Sequence, residues 1–291
     1  MRRFRAFAKF NLYLAVLGRR ADGYHEIDTA LQSIDLADDL FCEPRPDGQL
    51  VVECDAPGVP AGSGNLVWKG LALLREKLAV RPGMTVRLEK RIPVEAGLGG
   101  GSSDAACAMC AADRIWGLGL SPGEVETLAA EVGSDVAYFV RGGTRRCRGR
   151  GEKTEALPAL PPSEWLIVKP RYGLPTREVY AGVKTGLTPS EANINMLLGC
   201  LAKRDLAGAA ARMFNDLESA AMGLRPEAGE IKAWMLGFGA AGVTLAGSGS
   251  AWVGLCAGGF RAEDAAREAG RRGWQALPAR STEQGWTEMH E

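Results

Sequence analysis

The sequence predicts an α+β protein built in two parts. Three features carry that expectation: a period-two apolar segment at residues 4–17, a strand, glycine loop and helix in succession over 84–116, and the stretch "LPALPPSEW" at 157–165 with its three prolines. The proline-rich stretch separates a first half that opens on strands from a second that mixes strands and helices. The expected division is 1–157 and 163–279, with a polar, loosely held tail after Ala279.

The elements follow in order. Phe4, Ala6, Ala8, Phe10, Leu12, Leu14 and Val16 alternate with Arg5, Phe7, Lys9, Asn11 and Tyr13, which predicts a strand with Lys9 and Asn11 on the same face. Asp22-Gly23 signals a turn, and 27–41 reads as strand with loops. Residues 65–79 space Leu66, Leu71, Leu74 and Leu78 for a helix that Asn65 can cap. Residues 84–92 alternate again until Pro93 stops the strand. A helix is expected from Ser103 or Asp104 to Trp116, with Gly117 just past its end. "SPGE" at 121–124 is a capping box with proline at the first helical position, and "GSDVAYFVRGG" at 133–143 reads as the start of a strand. In the second half "WLIVKP" and "GVTLAGSGSAWVGLC" are strands, and helices are expected near 192–203, 205–221, 226–237 and 261–272.

Composition narrows the function. The chain has 291 residues, formal net charge zero and 46% hydrophobic residues, the make-up of a globular protein with a full core. Zero net charge argues against a general nucleic-acid binder, which must displace counterions. No apolar run is long enough to span a membrane. The apolar stretch Leu12–Leu17 is too short for a signal peptide and is followed by Arg19 and Arg20, so the cytoplasm is the expected location. Cys107-Ala-Met-Cys110 is the one C-x-x-C among seven cysteines. With only His25 and His290 to join them, the cysteines read as small buried hydrophobes. A monomer or weak homodimer is expected.

The densest signal is "RIPVEAGLGGGSSDAACAMCAA" (91–112), with four glycines in positions 97–101. Strand, glycine loop and helix in that order offer bare backbone N–H groups and a helix N-terminus to an anion. No lysine or arginine lies between Glu95 and Ser103, so an anion there is held by backbone and by the hydroxyls of Ser102 and Ser103. No lysine follows the glycines as in a P-loop, and Ser102 stands where the dinucleotide pattern needs its last glycine. The loop alone reads as a phosphate binder, with a structural turn as the alternative.

At P-x-x-x-G-L-G-G-G-S-S (Pro93 to Ser103) the chain resembles the ATP loop of the GHMP kinase superfamily, which includes kinases of homoserine and mevalonate. "AKFNLYLAVLGRRADGYHEIDT" (8–29), "GSDVAYFVRGG" (133–143), "RGRGE" (148–152), "NDLE" (215–218) and "LAGSGSA" (245–251) extend the resemblance over roughly residues 6–260. It is strongest to the branch that phosphorylates a cytidine-diphosphate-linked methylerythritol in the non-mevalonate route to isoprenoids. It implies a two-domain α+β kinase fold, with a ribosomal-S5-like N-terminal domain holding ATP through a left-handed β-α-β crossover and an α/β C-terminal domain.

The resemblance also implies roles. Lys9 and Asp135 match the catalytic lysine and aspartate, a pairing suited to phosphoryl transfer, where a carboxylate takes the alcohol proton and an ammonium stabilises charge. Pro93, Gly97, Leu98, Gly99, Gly100, Gly101, Ser102 and Ser103 would hold ATP phosphates, Asn65 the adenine region, and Mg²⁺ would travel with the nucleotide on ligands left unassigned. Tyr24, His25 and Tyr180 match cytosine contacts, with the base stacked between the two tyrosines and hydrogen-bonded by His25. Thr176 lies in the same segment as Tyr180, Asn11 matches a contact to the diol, and Gly247, Ser248 and Gly249 match a turn near the substrate phosphates. Ala137 departs from the pattern, which has proline there. The arginine-rich segment 141–150 reads as a solvated strand edge, with phosphate or RNA contact as its alternative. The rival readings are another small-molecule kinase of the superfamily and a non-catalytic nucleotide or RNA binder.

Overall fold

The computed structural model describes residues 1–54, 56–183 and 192–290. The opening alternation forms β1 (Arg2–Arg19), paired antiparallel with β2 (His25–Arg45), which runs unbroken through the stretch expected to contain loops. The pairing shifts register between Phe7 and Ala8, Asn11 and Tyr13, and Val16 and Gly18. These irregularities correct the single-face expectation for β1, because each one re-aims the strand. Phe4 and Ala6 pack in one core, Ala8, Phe10 and Leu12 in a second, and Leu14 and Val16 in a third.

Beyond β2, β3 (Leu50–Cys54) and β4 (Gly83–Glu89) pair in parallel with α1 (Leu66–Leu78) between them. Asn65 caps α1 as expected, its Oδ1 accepting the Val67 N–H at 2.9 Å. The next helix, α2 (Gly100–Trp116), begins before Ser103, its expected start. Gly99 turns the chain in the left-handed region (φ 76°), and Gly100 and Gly101 already belong to the helix. Nothing but glycine marks that turn, so the sequence offered no side chain to locate it. Cys107 and Cys110 lie in the core around α2, where burial raises both thiols, Cys110 to about 12.

The capping box of α3 (Pro122–Val132) forms with both of its bonds. "GSDVAYFVRGG" departs from the expected strand: it makes a short helix, α4 (Val136–Arg141), before β5 (Thr144–Gly149) and β6 (Lys153–Ala156). A short apolar run suits either a helix or a buried strand, and tertiary bonds decide. The Tyr138 hydroxyl donates to Gly143 O at 2.8 Å and sits 2.7 Å from Ser33 Oγ.

In the second half β7 (Glu164–Lys169) leads to α5 (Thr176–Ala181) and α6 (Ala192–Ala202). The helix expected over 205–221 is two helices, α7 (Leu206–Ala210) and α8 (Leu217–Leu224), split by β8 (Phe214–Asn215). β8 pairs in parallel with Tyr13 and Leu14 of β1, and this contact overrides the local helical pattern. Next come α9 (Glu227–Gly237), β9 (Val243–Leu245), β10 (Trp252–Cys256) and α10 (Ala262–Arg271).

The tail is a correction. Residues after Ala279 are held in β11 (Gln275–Thr282) and β12 (Trp286–Met289), not loose. β11 pairs with β7 and, through Ser281 and Thr282, with β2, while β12 pairs with β1. The sheet therefore runs β12-β1-β2-β11-β7-β10-β9 through both halves. The second core is likewise shared: Phe10 of β1 packs on Trp165 of β7 with ring centroids 4.6 Å apart. Among the described residues no helix is long and apolar enough to cross a membrane.

Candidate active site

The bulged centre of β1 and the start of α4 meet at one cavity of about 920 Å³. Lys9 Nζ lies 3.5 Å from Asp135 Oδ2. Lys9 is buried within β1, while Asp135, at the N-terminal boundary of α4, makes no capping bond and is 38% exposed toward the opening. Its carboxylate is thus held beside a cation yet remains open to a ligand.

Asn11 fixes the lysine. Its Oδ1 faces Lys9 Nζ at 3.4 Å and accepts the Gly247 N–H at 2.9 Å, while its Nδ2 donates to Thr29 Oγ1 at 2.8 Å. Thr29, which sequence reasoning missed, passes the chain of bonds on to Tyr13 O at 2.6 Å. Asn11 lines the cavity but is 2% exposed, so its chief work is to position Lys9 and the second glycine turn.

The first glycine loop is stitched to its surroundings by backbone. Leu98 O accepts the Lys9 N–H at 3.0 Å, and Glu95 O and Ala96 O accept the N–H groups of Ser250 and Ala251 at 3.2 Å. Gly97 and Gly99 both have φ near +76°, and a Cβ on Gly97 would lie 1.7 Å from Ala246 O. Glycine is required there by a close approach of two backbones. The loop separates the large cavity, which Gly97, Gly99 and Ser102 reach, from a smaller one of about 300 Å³ lined by Pro93, Gly97 to Gly101 and Asn65. The N–H groups of the first turn of α2 have no helical acceptor. The first helical bond after the loop is Ser103 N to Gly99 O at 2.9 Å.

Two expected nucleotide contacts sit otherwise than predicted. Ser103 is fully buried and its hydroxyl donates to Phe7 O at 2.6 Å, so Ser102 alone of the two serines faces the cavity. Asn65 borders the smaller cavity, but its side chain is spent on Val67 N–H and on Pro60 O. The second turn holds Ser248 at the cavity wall, hydrogen-bonded to Thr176 at 2.9 Å. Gly247 lines the wall too, whereas Gly249 does not and serves the turn through its N–H to Ala246 O at 2.7 Å.

The far end of the cavity is aromatic. Asp22 Oδ1 accepts the Tyr24 N–H at 3.1 Å, which shapes the turn presenting Tyr24, 52% exposed. Tyr180 lies against His25, ring centroids 4.9 Å apart and 31° between planes, while the Arg150 guanidinium stands 5.4 Å over Tyr24. Tyr180 thus backs the His25 imidazole at the same cavity wall as Tyr24. Burial, and then the charge of Arg19, hold the His25 pKa below its ordinary value, so at neutral pH the ring is neutral and offers one donor and one acceptor.

Known proteins place the chain in a family. The sequence matches the family description "GHMP kinases N terminal domain" over residues 65–143 and "GHMP kinases C terminal" over 197–275. A 4-diphosphocytidyl-2-C-methyl-D-erythritol kinase from Pelotomaculum thermopropionicum is 44% identical over 252 residues, 87% of this chain and 88% of that one. Its namesake from Shouchella clausii is 39% identical over 86% of this chain and 84% of its own. The chain belongs to the 4-diphosphocytidyl-2-C-methyl-D-erythritol kinase family. A crystal structure named 4-(cytidine 5'-diphospho)-2C-methyl-D-erythritol kinase superposes with TM-score 0.81 at 35% identity, covering 96% of this chain and 98% of that one. A homoserine kinase from Cytophaga hutchinsonii superposes with TM-score 0.79 at 19% identity over 99% of this chain and 98% of its own, which shows the shared fold alone.

In this member of the family the "NDLE" segment is a clamp on the site. Asn215 Nδ2 donates to Leu245 O and Gly247 O at 2.8 and 2.7 Å, and Asp216 Oδ2 accepts the Val16 N–H at 2.7 Å. Ala137, where the resemblance expects proline, is buried within α4. The arginine-rich segment is largely neutralised within the fold. Arg146 grips Asp28 with two bonds at 2.8 and 2.6 Å, Arg141 meets Glu126 at 3.0 Å and Arg148 meets Glu155 at 3.0 Å. Arg19, Arg150 and Arg177 line the cavity; Arg19 lies inside the matched segment 8–29, which assigns it no role.

Proposed function

We propose that the protein transfers the γ-phosphate of ATP to the 2-hydroxyl of 4-diphosphocytidyl-2-C-methyl-D-erythritol. The observation that carries this reading is the Lys9–Asp135 pair, 3.5 Å apart, in one cavity with the glycine loop and the Tyr24, His25 and Tyr180 cluster. Asp135 accepts the hydroxyl proton as the oxygen attacks the γ-phosphorus and ADP departs. Lys9 stabilises the charge on the moving phosphoryl group. Backbone N–H groups at the start of α2 and the Ser102 hydroxyl hold the phosphates in place. We assign the nucleotide to residues 1–157 and read 163–279 as the second domain, which closes the substrate side with Thr176, Tyr180 and Ser248.

Magnesium suits this arrangement as a passenger on the nucleotide. Among the described residues no three His, Cys, Asp or Glu side chains gather to hold a metal ion. A cation bound mainly by phosphate oxygens and water would find Ser102 and Asp135 among the protein oxygens that line the cavity. When bound it supplies neutralising charge at the phosphates. Lys9 and Asp135 favour a kinase over a passive binder, and the internally paired arginines 141, 146 and 148 favour a small-molecule partner over RNA.

ATP consumption measured across the cytidylylated methylerythritol, homoserine and mevalonate tests the assignment. Turnover with the first alone is expected, and turnover with either other alcohol in its place would overturn it. His25→Ala is expected to raise KM for the cytidylylated substrate by about 10-fold, the size of a lost hydrogen bond to a base edge, with KM for ATP unchanged. Because the His25 pKa is depressed below 6.5, the wild-type KM for that substrate should stay flat from pH 8 to 6.5. It should rise below that range as the imidazole gains its proton, and His25→Ala should lack the rise.

A further inference from the structure

One buried cluster beside the glycine loop has no role in the chemistry above. Lys90, between β4 and the loop, places Nζ 2.5 Å from Asp38 Oδ2 and 2.5 Å from Asp104 Oδ2. Their side chains are 7%, 0% and 3% exposed. Asp38 Oδ1 accepts the N–H groups of Arg91 and Ile92 at 2.5 and 2.8 Å. Asp104 Oδ1 is buried and has no hydrogen-bond partner among the described residues. Lys90 and Asp104 both border the smaller cavity beneath the loop. A Cβ on Gly100 would lie 3.3 Å from Lys90 Nζ, so the ammonium sits against the residue that opens α2.

The glycine loop has no cation of its own, yet the fold brings one to its helix. Among the described residues two carboxylates, Asp38 and Asp104, share that cation. With both ionised, the cluster carries one excess negative charge, buried where a polyphosphate would bind. Burying uncompensated charge is costly, and two carboxylates at one site favour holding a proton.

We propose that Lys90, Asp38 and Asp104 are positioning residues for the nucleotide loop, and that ATP binding at the start of α2 draws a proton from solvent onto Asp104. The inference rests on the nucleotide reading of the loop. Oδ1, the oxygen without a partner, is the atom to receive the proton, and the cluster then becomes neutral.

The charges facing Asp104 support this direction. Burial acts first and pushes its carboxyl up to about 7; Lys90 opposes the rise and Asp38 adds to it. Cys107, on the same helix, stays a neutral thiol because burial raises it well above its ordinary value. Burial and Asp38 thus favour a proton on Asp104 already in the free protein. Negative charge arriving in the cradle raises that affinity for a proton further, so ATP should bind more tightly as pH falls from 8 to 6.

Calorimetry of ATP binding in two buffers of different ionisation enthalpy counts the protons taken up. Titration of ATP itself is common to all variants and cancels in a difference. The wild type should take up more protons at pH 7.5 than Asp104→Asn. Asp104→Asn, which mimics the protonated state, should bind ATP more tightly than the wild type at pH 8, and the difference should shrink toward pH 6. Equal proton uptake in the two proteins would overturn the inference, and so would a variant weakened by the same factor at every pH, the mark of a purely structural residue. Should the variant not fold, the infrared difference spectrum of the wild type decides: ATP should bring a protonated-carboxyl band, and its absence overturns the proposal. Wild type that binds no ATP would overturn the kinase reading as well, whereas binding without proton uptake at Asp104 overturns this inference alone.

Discussion

Asp135→Asn is expected to lower kcat by about 10²–10⁴-fold, the usual contribution of a positioned acid–base group, while ATP binds with near wild-type affinity. The substitution keeps the shape of the side chain and removes the charge 3.5 Å from Lys9 Nζ. The carboxylate makes no bond that caps α4, so the helix loses nothing. The loss should therefore appear mainly in kcat, with a smaller fall in melting temperature because Lys9 stays buried without its carboxylate partner. Single-turnover measurement of phosphoryl transfer with bound ATP separates the two, and a variant turning over within a few-fold of wild type would remove Asp135 as the base. A variant that no longer bound ATP would instead make the residue part of the nucleotide site.

Gly97→Ala should be the most damaging small change to the glycine loop. A methyl group there meets Ala246 O at 1.7 Å and the Gly249 N at 3.1 Å, and the backbone angle is +76°. The left-handed conformation alone costs about 1–2 kcal/mol for a residue with a Cβ. The contact forces one of two stitched backbones to move, and the bonds from Ser250 and Ala251 to residues 95 and 96 move with it. Displacement of about 1 Å at a reacting centre can cost on the order of 10²-fold in rate. The expected result is a loss of at least that size in kcat/KM for both substrates, together with a lower melting temperature. Gly101 offers the contrast: a Cβ there would have its nearest neighbour, Leu66 Cδ1, at 3.9 Å, so Gly101→Ala should fold as the wild type does.

Local patterns were legible where the chain's own neighbours settle the structure. The alternation of residues 4–17 marked β1, Asn65 and Ser121 marked the starts of α1 and α3, and the glycines after β4 marked the turn into α2. Lys9 and Asn11 were readable as sharing a face because they lie two apart in a strand. Legibility failed where a distant partner outbid the local signal. The segment 205–221 looks helical, but two of its residues complete a parallel pairing with β1. The polar tail looks loose, but Trp286 Nε1 donates to Val140 O at 3.0 Å and its strand finds β1. Ser103 carries the same hydroxyl as Ser102, and only the packing of α2 on β1 turns one inward to Phe7 O.

By itself, then, the sequence determined the chemistry on offer: a glycine-rich cradle, a lysine in an apolar strand, an aspartate ahead of an apolar run and aromatic residues beside a tight turn. Periodicity and turn preferences act over a few residues, and so do the signals they leave. The tertiary structure alone decided which of these groups meet. It set Asp135 beside Lys9 across 126 positions of chain, turned Tyr180 onto His25, and carried Lys90 and Asp38 to Asp104 beneath the cradle. Those meetings follow from sheet register and from the burial of three cores, two of them drawn from both halves, and these leave no mark on any short stretch of the chain.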